Sequence, residues 1–230
     1  WNIRGKVWRH VEYFSTKFEK GDVVAVKGSI IKFNNANEVS LTFINTISDD
    51  FYSEYGYSPD IIIGTVDKSI KVLYSYILKT INSLPPNHKK NLISLYDNHK
   101  DKMEVMPLEN KEYYLKGGYL LFVYNLLIHF NKISKNYNKL DTTKVILCIL
   151  ITYIGYIYYF DENTVFSVSD KGKMLDYKIL GINLLNENIL NKISDEDKFF
   201  YQQCIMMDEN TEDINIKFVK HLIELDNIAR

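Results

Sequence analysis

The spacing of apolar positions changes character part-way along the chain. Over residues 2–8, 22–33 and 38–47 the apolar side chains are mainly Val, Ile, Phe and Trp, and stretches such as Val24 and Val26 against Ala25 and Lys27 alternate with a period of two. Alternation puts successive side chains on opposite faces of an extended chain, so three β-strands are predicted. Asn34-Asn35-Ala36-Asn37 predicts a hairpin loop between the second and third, Gly21-Asp22 a turn into the second, and residues 10–20 a short helix or loop. From Ser58 onward the period becomes helical: Ile70, Val72, Leu73, Ile77, Leu78 and Ile81 fall at helical spacing within 67–84, which Pro85-Pro86 ends. Further helices are predicted over 89–98, 118–133, 142–157, 176–191, 195–207 and 215–228, with Asp141-Thr142 as an N-cap for the most apolar of them. Residues 163–173 read as an extended piece with a turn at Asp170-Lys171-Gly172. The predicted organisation is α+β: a β module over 1–50, a linker over 51–66, and a helical domain over 67–230.

Composition narrows the class without naming a chemistry. At 230 residues, 46% hydrophobic and 25% charged, the chain has the make-up of an ordinary globular protein, which excludes disordered and fibrous readings. The net charge of −1 announces no polyanion partner, but the charge is divided. Residues 1–48 carry seven basic against four acidic side chains, whereas 186–213 carry eight acidic against two basic. A single-stranded polyanion is therefore expected at the first region and not at the second. Two cysteines make no disulfide framework, and Cys148 lies in an apolar run, so an intracellular, cytoplasmic setting is expected. The start at Trp1 reads as part of a longer polypeptide. The longest uncharged apolar run, Val145 to Phe160, is 16 residues against the roughly 20 a span needs, so a core helix and no membrane contact is expected, with an interfacial helix as the alternative.

Catalytic signatures are missing. His10, His88, His99, His129 and His221 never approach zinc-ligand spacing with Cys148 or Cys204, and Lys116-Gly117-Gly118 is followed by no Lys-Ser/Thr of a phosphate loop. No cofactor is expected.

The order of segments carries a resemblance. Gly5-Lys6-Val7-Trp8 and Gly21-Asp22-Val23-Val24-Ala25-Val26-Lys27-Gly28 followed by helices are similar to the later part of an OB barrel joined to an HD-type domain. Met106-Pro107-Leu108 with Tyr113-Tyr114 and Gly117-Gly118-Tyr119-Leu120-Leu121-Phe122, then Leu150-Ile151-Thr152-Tyr153-Ile154-Gly155-Tyr156, then Ser169-Asp170-Lys171-Gly172 through Gly181, resemble successive motifs of the YhaM-type 3′-5′ exoribonucleases. In that family the corresponding runs supply imidazoles and carboxylates that hold divalent metal. Here the resemblance implies that Tyr113, Tyr114, Phe122, Thr152, Tyr153, Tyr177, Met206 and Met207 stand at ligand positions, with Tyr156 at a lysine, and that only Asp226 retains a carboxylate. Phenols, phenyl rings and thioethers are poor ligands for hard divalent ions. The implied molecule is a pseudo-nuclease with no catalytic residue, no metal and a former site packed by aromatic and sulfur side chains.

For the β module, OB-like barrels bind single strands by cations and aromatic stacking. Arg4, Trp8, Lys27, Lys32 and Phe33 are the candidate nucleic-acid contacts, with Trp1, Arg9 and Phe43 also available, against the plainer reading that Trp8 and Phe43 are barrel core. About three of five barrel strands are present, so either residues upstream or a partner would complete the sheet. The leading expectation is an inactive relative of OB–HD exoribonucleases, a nucleic-acid-binding or accessory subunit of a replication, transcription or RNA-processing complex, with single-stranded RNA or DNA and a protein partner or second copy as partners. The alternatives are a structural protein–protein subunit using a tyrosine-rich surface, the chain having 18 tyrosines, and an active nuclease with substitute ligands.

Overall fold

A computed structural model describes residues 3–19, 22–34, 36–47, 52, 55, 63–161 and 166–229. Trp1, Lys20, the Gly21 turn position and most of the 51–66 linker lie outside the described residues. The chain is mixed α+β and divides into two compact units, Trp1–Ile63 and Gly64–Arg230.

The first unit is built from β1 (Arg4–Val7), α1 (Val11–Ser15), β2 (Val24–Phe33) and β3 (Ala36–Thr46). The sheet order is β1-β3-β2, with β1 parallel and β2 antiparallel to β3. The hairpin turn is tighter than the Asn-rich tetrad suggests, because Ala36 and Asn37 already pair with Phe33 and Lys32. Asn34 takes a left-handed φ of 49°, which Asn tolerates because its short polar side chain bonds locally. Between Lys27/Gly28 the register slips so that Thr42 is an extra residue, a β-bulge that Thr42 Oγ1 ties down by donating to the Lys27 carbonyl at 3.1 Å. Few side chains are buried: among the described residues of this unit they are Phe14, Ile44 and Glu38. Trp8 is 64% and Phe43 47% exposed, so neither is barrel core. The core reading assumed a closed barrel, and three strands do not enclose an interior.

The second unit begins where Thr65 bridges Lys116 and Val66 N–H donates to the Lys116 carbonyl, slightly before the helical period sets in. Its helices are α2 (Ile70–Asn82), α3 (Pro86–Asn98), α4 (Lys100–Val105), α5 (Gly118–Ile133), α6 (Thr142–Ile151), α7 (Tyr156–Tyr159), α8 (Asp170–Met174), α9 (Tyr177–Asn188), α10 (Asp195–Met206) and α11 (Ile214–Ile228). A two-stranded ribbon, β4 (Phe160–Asp161) with β5 (Ser167–Val168), stands where an extended piece is predicted, and Asp170-Lys171-Gly172 opens α8 rather than forming a turn. Side-chain oxygens of Asp141, Ser169, Asp176, Ser194 and Asp213 cap α6, α8, α9, α10 and α11, each taking an otherwise orphaned first-turn N–H.

Residues Val145 to Ile151 are all buried, and α6 packs against α5, α10 and α11 at the centre of this unit. The apolar run from Val145 does not continue as one helix to residue 157. Thr152 Oγ1 donates back to the Cys148 carbonyl at 2.6 Å, and the chain turns before restarting at Tyr156. At Gly155 a Cβ would lie 1.8 Å from the Tyr177 carbonyl oxygen, so only glycine lets α9 approach this closely. The tyrosines divide between surface and interior, with Tyr13, Tyr55, Tyr114 and Tyr137 exposed. Tyr74, Tyr96, Tyr113, Tyr119, Tyr156 and Tyr201 are buried, their phenols bonded inside, as Tyr96 is to the Leu150 carbonyl at 2.9 Å.

Candidate functional site

In the helical unit, six positions singled out in the sequence meet. Tyr113 ends a single 3-10 turn, Lys111–Tyr113, separated from α5 by four residues. A Cβ on Gly118 would lie 1.9 Å from the Tyr113 carbonyl oxygen, so this glycine allows the turn to fold onto the helix start. Tyr113 donates its hydroxyl to Asp226 Oδ2 at 2.5 Å, from α11, and its ring meets Phe122 edge-on with centroids 5.3 Å apart. Phe122 in turn touches Tyr153 at 5.1 Å, and Tyr153 touches Tyr177 at 5.6 Å. Tyr156 stacks on Tyr177 at 4.4 Å and donates to Glu109 Oε2 at 3.3 Å. Phe122, Tyr153, Tyr156 and Tyr177, with Leu108, Glu109, Asn110, Ile223 and Asn227, line a cavity of about 350 Å³. The expectation that aromatic and sulfur side chains fill this place is corrected: Phe122, Tyr153, Tyr156 and Tyr177 wall a hollow instead of filling it.

The other positions stand apart. Tyr114 donates to the Phe166 carbonyl at 2.9 Å and packs its ring on Phe160 and Phe166. Thr152 spends its hydroxyl on its own helix. Met206, exposed, ends α10, and Met207 follows in the left-handed region with φ 45°. Neither methionine borders the cavity. Two residues that sequence reasoning passed over belong to the cluster. His129 Nδ1 lies 3.6 Å from Asp226 Oδ1, and Asn125 donates to the Tyr113 hydroxyl at 3.2 Å. Phe122, Asn125 and His129 are three and four residues apart on one helix face, a spacing visible in the sequence.

Electrostatically the site favours neutral phenols. Burial holds the Tyr153, Tyr156 and Tyr177 hydroxyls above the usual phenol range, and the Glu109 carboxylate adds to this for Tyr156 and Tyr177. A metal does not fit. Asp226 and His129 are two donors, the carboxylate is already held by Tyr113, and among the described residues no group of three His, Cys, Asp or Glu stands together. Burial also drives the Cys204 thiol up, away from the thiolate a nucleophile needs.

In the strand unit, cross-strand pairing shows which side chains share a face. Glu38 pairs with Arg4 and Ile31, and Ser40 with Lys6 and Ser29, so Arg4 and Lys6 share a face with Ile31 and Phe33. Lys6 Nζ stands 4.6 Å from the Phe33 ring centre and 5.7 Å from that of Trp8, and forms an ion pair at 2.8 Å with Glu38 that lacks hydrogen-bond geometry. Lys32, paired with Asn37, points to the opposite face, and Lys27 lies beyond the bulge opposite Phe43. Arg4, Trp8 and Phe33 are thus gathered around Lys6, while Lys27 and Lys32 are not.

No family model, curated protein or solved structure matches the chain. The site must be read from its own geometry.

Proposed function

We propose that the chain is a catalytically inactive relative of the YhaM-type OB–HD exoribonucleases, serving as a nucleic-acid-binding or accessory subunit of a replication, transcription or RNA-processing complex. The observation that carries this reading is the convergence of Tyr113, Phe122, Tyr153, Tyr177 and Asp226, positions up to 113 residues apart that the resemblance assigns to one metal site. A former metal centre whose ligands became aromatic would leave such a cluster around one surviving carboxylate. The strand unit adds support. Its path of strand, helix and hairpin, with the first strand parallel to the last, resembles that of the closing half of an OB barrel. On its Arg4-bearing face a cation lies between two aromatic rings, the combination on which single-stranded bases stack.

Manganese titration by calorimetry tests the inactive reading. No stoichiometric heat and no rise in melting temperature are expected; one-to-one tight binding, or metal-dependent ribonuclease activity lost in Asp226→Ala, would overturn it. A second reading, a protein–protein subunit without nucleic acid, draws on the exposed Val26, Ile30 and Tyr13 of the strand unit. Failure of the protein to bind labelled single strands at low salt would favour it.

A further inference from the structure

The hollow that the aromatic cluster leaves has a chemistry of its own. Four rings border it, Phe122, Tyr153, Tyr156 and Tyr177, and neighbouring rings are inclined by 60° (Phe122 with Tyr153), 61° (Tyr153 with Tyr156) and 50° (Tyr153 with Tyr177). Tyr156 and Tyr177 lie nearly parallel, at 17°, so Phe122 and Tyr153 are turned against a stacked pair and the four rings do not share one plane. Among the described residues that border the cavity, Glu109 is the one charged side chain. Its volume of about 350 Å³ falls within the range of small-ligand sites, roughly 300–1,000 Å³.

Aromatic faces carry negative quadrupole potential, and a carboxylate at their rim adds to it, so the occupant these walls attract is cationic. The kind of cation follows from what the walls lack. A primary ammonium is a compact, strongly hydrated charge with three donors, and entering would require acceptors to replace its water. Here the rim amides are engaged with each other, Asn110 Nδ2 donating to Asn227 Oδ1 at 2.7 Å, and the Tyr156 hydroxyl is directed to Glu109. An alkylated ammonium spreads its charge over methyl groups, asks for no hydrogen bonds and gains from apolar contact with every ring. An uncharged nucleobase offers no positive charge for the ring quadrupoles and Glu109 to hold.

We propose that this cavity binds an alkylated ammonium group, with Phe122, Tyr153, Tyr156 and Tyr177 as the cage and Glu109 as its counter-charge. The assignment goes beyond the proposed function and stands apart from the strand unit. The test uses the full chain and two probes that carry the same head group: free choline, and a peptide containing trimethyl-lysine. Saturable binding of either is expected in the micromolar to millimolar range, with the trimethyl proton resonance moved upfield by the ring currents of the cage; the tighter of the two identifies the source of the group. The tert-butyl analogue of choline, in which carbon replaces the charged nitrogen, should bind at least about tenfold more weakly. Glu109→Gln, at an exposed position, should raise Kd roughly threefold to tenfold without altering the fold, and Tyr153→Leu by about tenfold or more. Equal affinity for the uncharged analogue, no saturation by either probe at millimolar concentration, or preferential binding of a nucleoside would overturn the assignment.

Discussion

The two units solve the burial problem in opposite ways. The helical unit surrounds α6 on three sides and buries Leu73, Ile77, Leu92, Leu120, Leu126, Leu150 and Val219 almost completely, each a gain of about 1.5–3 kcal/mol over exposure. The strand unit buries Phe14 and Ile44 while Trp8, Ile30, Phe33 and Phe43 remain open to solvent, and its order rests mainly on the strand ladder. A helix bundle can lose a metal site and keep its fold, because packing carries its stability. A three-stranded sheet presents its side chains outward, and its surface is where binding is expected.

The sharpest way to break this contrast is alkali. Tyr96 and Tyr119 are fully buried, and burial, with their mutual contact contributing for Tyr96, raises the Tyr96 phenol; burial alone raises that of Tyr119. In the unfolded chain they ionise near pH 10, so above that pH the unfolded state binds fewer protons than the folded one and stability falls as pH rises. Each such phenol costs about 1.4 kcal/mol per pH unit, and unfolding of the helical unit followed by tyrosinate absorbance should show a steep alkaline limb. Replacing both with Phe should shift that limb to higher pH.

Next in size, Leu120→Ala should lower stability by about 2–5 kcal/mol in urea unfolding, whereas Ile30→Ala, at a position 71% exposed, should change it by no more than about 0.5 kcal/mol. Equal effects would mean that the strand unit has a core of its own. Smaller than the Leu120 effect, Asp226→Ala should cost about 1–3 kcal/mol by leaving the buried Tyr113 hydroxyl without its acceptor, and Asp226→Asn, which keeps an acceptor oxygen, should cost less.

How far the sequence foretells this molecule depends on whether a feature is local. The helix Gly118–Ile133 is legible at both ends, because Lys116-Gly117-Gly118 marks its start and apolar positions recur at helical spacing throughout. The short helix Lys100–Val105 is not, since six residues with two apolar positions give no period to read. The break after Ile151 is invisible in an unbroken apolar run, and so is the approach of Gly155 to Tyr177 beside it, which is tertiary. At the site, Tyr113, Phe122, Tyr153, Tyr177 and Asp226 were legible through motif order, and His129 through its seven-residue spacing from Phe122. In the strand unit, Arg4, Lys6 and Trp8 alternate on one face, so Lys6 could have been read beside them. The cavity and the role of Glu109 could not, because a void is a property of how side chains fail to fill space.

Binding of labelled single strands by the full chain, followed by anisotropy across a salt series, tests most directly whether the strand unit is the binding unit. Phe33→Ala should weaken binding by about 1–3 kcal/mol with little change in salt slope, since stacking releases no ions. Arg4→Ala should flatten the slope by about 0.7, Lys32→Ala should do less because it lies off the Trp8 and Phe33 face, Lys27→Ala should do less because it lies beyond the bulge at the far end of β2, and Arg4, Lys27 and Lys32 replaced together should flatten it most. Lys173→Ala and Lys178→Ala, whose ammonium groups are already bonded to Asp170 and the Met206 carbonyl, should leave both quantities nearly unchanged. Strand binding that survives Phe33→Ala and the triple replacement intact, or that is lost instead in Lys173→Ala and Lys178→Ala, would contradict the assignment of binding to the strand unit.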